Sequence, residues 1–128
     1  EQDKALIRSR AAKGLYALKS PDGCHFSPIT KQLVITDGAF DSENLAFWDS
    51  ARGEYRAYFR DFQRGIRGIK TSKSKNFVDW SKPEWLVFPG APDEHLYTNQ
   101  VAPYARAPHI LFGFPMRYID RVLVDSTD

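Results

Sequence analysis

Two short stretches of this sequence bring together side chains that can move protons. The first is Phe40-Asp41-Ser42-Glu43-Asn44, and the second is Asp93-Glu94-His95. A carboxylate can accept a proton, and a carboxylic acid or a histidine can donate one, so a pair of such groups can act as general base and general acid. The same residue types are common in polar turns that precede a strand, and spacing alone favours that simpler interpretation. The elements that position these residues must decide between the two.

Short apolar runs predict that those elements are β-strands. Runs of three to five residues, rich in aromatic and β-branched side chains, occur at residues 33–35, 45–48, 55–59 and 109–112. Ser20-Pro21-Asp22-Gly23 predicts a tight turn, because Asp-Gly supplies the positive φ that a hairpin needs. Residues 49–53 read as a longer hairpin loop. Only residues 1–13 carry a weak helical pattern, so the predicted fold class is all-β.

Composition excludes several classes of protein. The chain has 128 residues, enough for one domain, and its formal net charge of +2 gives no electrostatic case for a nucleic-acid or membrane partner. No apolar run approaches the ~18 residues of a membrane helix, and no signal peptide is visible, which leaves export and localisation open. The single Cys24 is predicted to be a small buried hydrophobe. Two basic clusters are predicted to be solvated strand faces: Arg8, Arg10 and Lys13, and Arg64, Arg67 and Lys70.

An internal repeat organises the strands. Residues 14–20 align with residues 68–74 at an offset of 54, and Phe26 and Ser27 then fall on Trp80 and Ser81. A second pairing at nearly the same offset places Asn44 near Asn99, and residues 55–58 on residues 109–112. A repeat of roughly 50 residues built from four short strands is typical of a β-propeller blade.

The repeat predicts one partial propeller domain over residues 1–128. Residues 14–36 supply the two outer strands of one blade. Residues 40–88 form a complete four-stranded antiparallel blade with strands at 45–48, 55–60, 66–71 and 85–88. Residues 94–118 begin the next blade, with strands near 98–102 and 110–114. Closed propellers generally have about four to eight blades, so these two to two and a half blades should leave edges and apolar faces open to self-association.

The motifs resemble those of a known family. The segments that carry the likeness are "SPDGCHFSPI", "FDSENLAFWDSARGEYRAYFRDF", "GIRGIKTSKSKNFVDWSKPEWL" and "DEHLYTNQVAPYARAPHILFGFPMRY". Together they are similar to the five-bladed β-propeller glycoside hydrolases, and most of all to bacterial proteins described as similar to glycoside hydrolase families 32 and 43. The likeness covers residues 14 to 118, which is about half of such a propeller.

The resemblance implies roles for the acidic stretches. In these enzymes the innermost strand of each blade starts at a central pocket, and carboxylates at the strand starts do the chemistry. Cleaving a glycosidic bond takes one acid that protonates the leaving oxygen and one carboxylate that activates water or attacks carbon. On this basis Glu94 is the candidate acid, and Asp41 is the neighbouring carboxylate. Asp93 belongs to the same acidic group, and His95 is an alternative proton donor.

Polar and aromatic residues near the strand starts are candidates for binding a sugar. The candidates for hydrogen bonds to sugar hydroxyls are Asn44, Arg60, Asn99 and Arg117, and those for stacking on a ring are Trp48, Tyr97 and Tyr104. The segment "YFRDF" resembles the Arg-Asp motif of the family 32 enzymes, which would mark Asp61. However, Phe62 replaces the family's proline, and residue 61 follows the second predicted strand. We therefore expect Asp61 to have a structural partner such as Arg64 or Arg67.

The remaining chemically notable residues favour structural roles. Trp48, Trp80 and Trp85 are more typical of packing between blades than of ligand platforms. His25 and His109 lack the spacing of metal ligands, and no phosphate-binding loop precedes a helix, so neither a metal nor another cofactor is expected.

Two function classes follow. One is a glycoside hydrolase-like enzyme that acts on a polysaccharide or oligosaccharide, of which this chain is a part. The other is a non-catalytic carbohydrate-binding module, or an inactive fragment, that lacks a full set of carboxylates. Further blades with acidic strand starts in the reading frame would favour the enzyme.

Overall fold

The computed structural model describes residues 13–119, and this part of the chain contains ten β-strands and no helix. The all-β prediction is confirmed. The weak helical pattern of residues 1–13 lies almost wholly outside the described residues. No helix among residues 13–119 could span a membrane. The strands are β1 (Leu18–Lys19), β2 (Ser27–Pro28), β3 (Leu45–Asp49), β4 (Glu54–Gln63), β5 (Ile66–Ser74), β6 (Glu84–Trp85), β7 (His95–Leu96), β8 (Ala102–Tyr104), β9 (Ala107–Phe112) and β10 (Arg117–Tyr118).

A four-stranded antiparallel sheet lies at the centre of the fold. Its strands follow chain order, β3-β4-β5-β6, so each strand pairs with the next through a short connection. Gly53 and Gly65 make the two hairpin turns possible, since their φ angles are +61° and +78°. The predicted four-stranded unit is therefore present. The strand lengths predicted for this sheet were wrong, since β4 runs on to Gln63 and β6 has only two residues.

The two faces of the central sheet pack against different parts of the chain. Residues that pair directly across an antiparallel ladder point to the same face, and successive residues alternate. Ala57 and Phe59 lie on one face and pack with Leu15 and Ile35. We call this the N-side face, and residues 15–35 the N-terminal unit.

The opposite, C-side face of the sheet carries the second apolar cluster. Tyr58 and Ile69 pack there with Val101, and Leu111 adds to the cluster. Residues 95–118 form this C-terminal unit, an irregular hairpin in which β7 pairs with β10 and β8 pairs with β9. Two backbone hydrogen bonds, from Tyr97 N to Met116 O and from Phe114 N to Asn99 O, join the pairs. The central sheet is thus sandwiched between the two units.

The sequence repeat is matched by atomic detail. In the N-terminal unit Lys19 pairs with Ser27, and 54 residues later Ser81 N donates a hydrogen bond to Lys73 O at 2.8 Å. Next to the turn, both copies of the hairpin therefore share one register.

Three expectations about single residues need correction. Cys24 is exposed, because it lies in the tight turn between β1 and β2 rather than in a core. Lys70 is buried at 7% exposure, so the second basic cluster is not a solvated strand face. Of that cluster, Arg64 remains exposed. Of the first cluster, Arg8 and Arg10 lie outside the described residues.

Candidate functional site at the start of β3

Most of the predicted catalytic residues lie at one end of the central sheet. Because the strands are antiparallel, the start of β3, the end of β4 and the start of β5 meet at this end. Asp41 precedes β3. Asp93 and Glu94 precede β7, whose first residue His95 accepts a hydrogen bond from Arg67 N at the start of β5. The fold thus brings Asp41 and Glu94 to the same end of the sheet.

Asp41 is held by a buried arginine. Arg60 Nε donates to Asp41 Oδ1 at 3.1 Å, and Arg60 Nη2 lies 2.8 Å from Oδ2, a bidentate contact that fixes the carboxylate plane. The hydrogen bond from Arg60 lowers the pKa of Asp41, against the opposing effect of its partial burial. Asp41 therefore stays ionised and can serve as a base, a nucleophile or a stabiliser of positive charge, but not as the acid.

The same arginine ties Asp41 to the C-terminal unit. Arg60 Nη1 donates to Tyr97 O at 3.2 Å, and its guanidinium lies 4.5 Å from the centre of the Tyr97 ring. Ser42 Oγ also donates to Tyr97 O, at 3.1 Å. Since Arg60 is only 5% exposed, these contacts replace its water, and they fix Tyr97 beside Asp41.

Arginines and aromatic rings continue across this end of the sheet. Arg67 lies 5.4 Å from the ring of Phe62 and 4.3 Å from the ring of Tyr118, and the rings of Tyr97 and Tyr118 are 5.8 Å apart. Arg60 lies 6.0 Å from Phe62 and closes the circle. Such cation–π contacts hold the C-terminal unit against the sheet. Exposed aromatic rings at this place also offer flat apolar surface to a ligand.

Asp61 belongs to a separate ion-pair cluster on the N-side face. Lys70 Nζ lies 2.7 Å from an oxygen of Asp61 and 2.7 Å from an oxygen of Asp37, and 5.0 Å from the ring of Trp85. Burial lowers the pKa of Lys70, but the hydrogen bonds to Asp37 and Asp61 outweigh it and leave that pKa raised. Asp61 therefore has a structural partner as expected. That partner is Lys70, not Arg64 or Arg67, and residue 61 lies within β4 rather than beyond its end.

The acidic stretch before β7 lines a groove. This groove has a volume of about 470 Å³ and runs between the β5–β6 edge and the segment at residues 91–96. Asp93 Oδ2 lies 3.1 Å from Arg64 Nη2, and Glu94 Oε1 lies 2.8 Å from Arg117 Nη2. Trp85, Leu86 and other apolar residues form its walls. A groove with charged groups at its rim and apolar walls is typical of a binding site for a ligand that has both polar and apolar surfaces.

Several predicted sugar-binding residues lie elsewhere or are already engaged. Trp48 lies one residue before the end of β3 and Tyr104 ends β8, so both are at the opposite end, where Arg52 Nη2 donates to His109 O. Their rings contact Tyr55 and Phe112. Asn99 is 2% exposed, and its amide nitrogen donates to Glu43 O. These three residues are not available to a ligand at the start of β3.

Asn44, another predicted sugar-binding residue, instead holds the loop before β3. Its amide donates to Ser42 O at 2.8 Å and to Phe40 O at 3.3 Å, which closes the loop before β3. Phe40 itself has a positive φ of 55°, so this loop departs sharply from extended backbone. Arg117, with Glu94, stays at the rim of the groove.

Two residues that build the site, Glu43 and Arg67, were not among the candidates found from the sequence. Glu43 Oε2 accepts hydrogen bonds from Asn99 N and Gln100 N, and it thereby joins the loop before β3 to the C-terminal unit. Arg67 contacts Phe62, His95 and Tyr118. A signal existed for Arg67, since residues 60, 62 and 67 fall on one face once the β4–β5 turn is placed at Gly65.

Within residues 13–119, no cluster of three or more His, Cys, Asp or Glu side chains is arranged to hold a metal ion.

Comparisons of the chain with protein-family models, with curated proteins and with solved structures found no match.

Proposed function

We propose that this chain is part of a carbohydrate-active β-propeller of the glycoside hydrolase type, and that the start of β3 contributes to its sugar site. The observation that carries the proposal is the Asp41–Arg60–Tyr97 arrangement. It presents a fixed, ionised carboxylate beside an aromatic ring at the end of the sheet where Glu94 also lies. Glycoside cleavage needs carboxyl groups, and an aromatic ring beside them offers a flat surface to a sugar.

The propeller interpretation draws support from the order of the units. Each unit packs one face on the next along the chain, and the central sheet is a four-stranded antiparallel meander, as a blade is. In this arrangement β3 is the innermost strand of the central blade, and the C-terminal unit begins the next blade. The starts of β3 and β7 then face one central pocket.

The proposed roles differ between the two carboxylates. Asp41, whose pKa is lowered by Arg60, acts in its ionised form on the reacting carbon, on a water or on the developing positive charge. Glu94 is the proposed acid, which has to leave its contact with Arg117 when substrate binds. The Arg117 side chain is exposed and can move, and such contacts often rearrange when a substrate enters.

The test compares two isosteric substitutions. Hydrolysis of aryl glycosides and oligosaccharides is measured for the complete reading frame that contains this chain, with Asp41→Asn and Asp61→Asn as variants. We expect Asp41→Asn to lower turnover about 10²- to 10⁴-fold, because an amide cannot act as a base or nucleophile. Asp61→Asn is the matched control, since its partner Lys70 lies on the other face of the sheet. Near-normal turnover in Asp41→Asn, with melting temperatures equal, would overturn the proposed role of Asp41.

The alternative is a binding module without catalysis. Its supporting observation is that Asp41, Asp93 and Glu94 each contact an arginine in the described structure. If the parent binds oligosaccharides by calorimetry and hydrolyses none of them, this second candidate replaces the first. Asp41→Asn should then weaken binding without any turnover to lose.

A further inference from the structure

The loop before β3 runs along an edge of β4. Because β3 pairs with β4 only as far as Tyr58, residues 59–63 of β4 have no partner from β3 on that side. Residues 37–41 lie there instead, and Ala39 N donates a hydrogen bond to Arg60 O at 3.0 Å. The loop ends at Asp41, so the contacts that hold the loop also set the position of the Asp41 carboxylate.

Glycine lets the middle of this loop lie close to the sheet. A Cβ added at Gly38 would stand 2.8 Å from the Phe40 ring and 2.9 Å from a ring carbon of Phe59. The rings of Phe40 and Phe59 pack with their centres 5.3 Å apart. The middle of the loop is therefore held by packing, and its two ends are held by side-chain charges.

Two cations hold the two ends of the loop from opposite faces of the central sheet. Arg60 makes its bidentate contact with Asp41 on the C-side face. Lys70 pairs with Phe59 in the β4–β5 ladder and lies on the N-side face, where its Nζ is 2.7 Å from Asp37 Oδ1. Since Lys70 is only 7% exposed, its ammonium depends on carboxylate partners in place of water.

We propose that Asp37 is a positioning residue for Asp41: its ion pair with Lys70 fixes one end of the loop, so that the carboxylate at the other end meets Arg60. Only three residues separate Asp37 from Asp41, so the loop has little slack, and a shift at one end reaches the other. This role rests on the proposed function in that Asp41 must act on a sugar, whereas the contact between Asp41 and Arg60 does not depend on it.

Asp61 provides a matched comparison within the same cluster. Its carboxylate also lies 2.7 Å from Lys70 Nζ, but it belongs to β4 and not to the loop. Asp37→Ala and Asp61→Ala each remove one carboxylate from Lys70 and leave it the other. The buried ammonium thus keeps one ion pair in either variant, so both should remain folded. Only Asp37→Ala should release the loop.

The first measurement is the titration of the Asp41 carboxyl, followed by its carbon-13 resonance in the complete reading frame that contains this chain. In the parent the hydrogen bond from Arg60 lowers the pKa of Asp41, and the charge of Lys13 adds a weaker effect in the same direction. In Asp37→Ala the pKa of Asp41 should rise towards its ordinary 3.8, because the carboxylate leaves Arg60.

The direction of that change separates positioning from simple electrostatics. Removal of a neighbouring negative charge would by itself lower the pKa of Asp41, since it favours the ionised form. Release from Arg60 has the opposite sign. In Asp61→Ala, where the loop keeps its ion pair with Lys70, the pKa of Asp41 should not rise.

The second measurement is hydrolysis of aryl glycosides and oligosaccharides by the same proteins, with kcat and KM determined across a range of pH. Asp37→Ala should lower kcat about 10- to 100-fold with a smaller change in KM, because a displaced catalytic group costs more in the transition state than in binding. The acidic limb of the kcat/KM profile should move to higher pH with the Asp41 titration. Asp61→Ala should keep the parent's values.

The two measurements fail separately. If the parent hydrolyses none of the substrates, the proposed function fails, and the titration of Asp41 still decides whether Asp37 positions it. If the pKa of Asp41 in Asp37→Ala stays unchanged or falls, or if Asp61→Ala raises it equally, the positioning role is overturned even when the parent is active. Thermal melts check that both variants are folded. Should Asp37→Ala be unfolded, Asp37→Asn replaces it, with Asp61→Asn as its control.

Discussion

The turn at residues 20–25 and the turn at residues 74–79 have the same hydrogen bonds in different surroundings. In the first, Ser20 Oγ accepts from Gly23 N at 2.8 Å, and Asp22 Oδ1 accepts from Cys24 N at 2.9 Å. In the second turn, the acceptors are the residues 54 positions later in the chain, Ser74 and Asn76.

Ser74 Oγ accepts from Phe77 N at 3.0 Å, and Asn76 Oδ1 accepts from Val78 N at 3.0 Å. The residue at the turn has a positive φ in both copies, +76° at Gly23 and +66° at Phe77. Side-chain hydrogen bonds can thus fix a turn of one shape whether a glycine or a phenylalanine stands there.

What differs is the packing beyond the turn. The ring of Phe77 lies 5.0 Å from the ring of Tyr55 and 5.5 Å from the ring of Trp80, whereas residues 21–25 of the first turn are exposed. A positive φ costs a phenylalanine free energy that a glycine does not lose, and the aromatic contacts of Phe77 offset that cost. The comparison teaches that local hydrogen bonding sets the turn shape, and that neighbouring units set how much each turn contributes to stability.

The largest expected difference concerns the aromatic residue after each turn. Trp80→Ala should lower the free energy of unfolding by about 3 kcal/mol, because it removes a large side chain from a core cluster. Phe26→Ala should change it by less than about 0.5 kcal/mol, because Phe26 is exposed. Urea unfolding of the parent and of each variant gives both values. Equal effects would show that the two hairpins are packed alike, against the structure.

A smaller difference is expected for the serine that begins each turn. Ser74→Ala should cost about 2 kcal/mol, since Ser74 is 4% exposed and its loss leaves the part-buried amides of Asn76 and Phe77 without their acceptor. Ser20→Ala should cost about 1 kcal/mol or less, because water reaches the amides of the first turn. The measurement is again urea unfolding. A greater loss at Ser20 than at Ser74 would contradict this ranking.

The smallest effect is a response to pH that only one turn should have. The backbone hydrogen bond from His25 and the contact with its ring hold the pKa of Asp22 well below its ordinary 3.8. A lowered folded pKa contributes stability above the unfolded value and loses it as pH falls through the folded value. Asn76 has no such proton to gain. In acid, the amide resonance of Cys24 should therefore shift, and that of Val78 should not.

The control for this response is Asp22→Asn, which gives the first turn the same side chain as the second. The amide of Cys24 should then lose its dependence on pH in acid solution. A shift of Cys24 that persists in Asp22→Asn would assign the response to another group, and an equal shift of Val78 in the parent would remove the contrast between the turns.

The candidate site was predictable in part. The acidic strand starts, Asp41 and Glu94, could be found from the repeat, because residues at equivalent positions of a repeat occupy equivalent places in the fold. Arg60 was a candidate from the sequence, but its bidentate contact with Asp41 was not predicted. The two residues meet only because β4 runs past the start of β3. The sequence analysis wrongly assigned three residues to the sugar site: Trp48, Tyr104 and Asn99. Their positions depend on strand direction and burial, which are decided by packing between units.

The sequence by itself determined the all-β class, the offset of 54 and the turns at residues 20–23 and 49–53. Apolar alternation, turn chemistry and repetition are local properties that a chain carries whatever it packs against. Only the tertiary structure decided which face of each strand is buried, that Arg60 binds the carboxylate of Asp41, and that Asp61 pairs with Lys70. Those outcomes depend on contacts between residues that are far apart in the chain. Their free energy is gained only when the units stack, and no local pattern encodes that stacking.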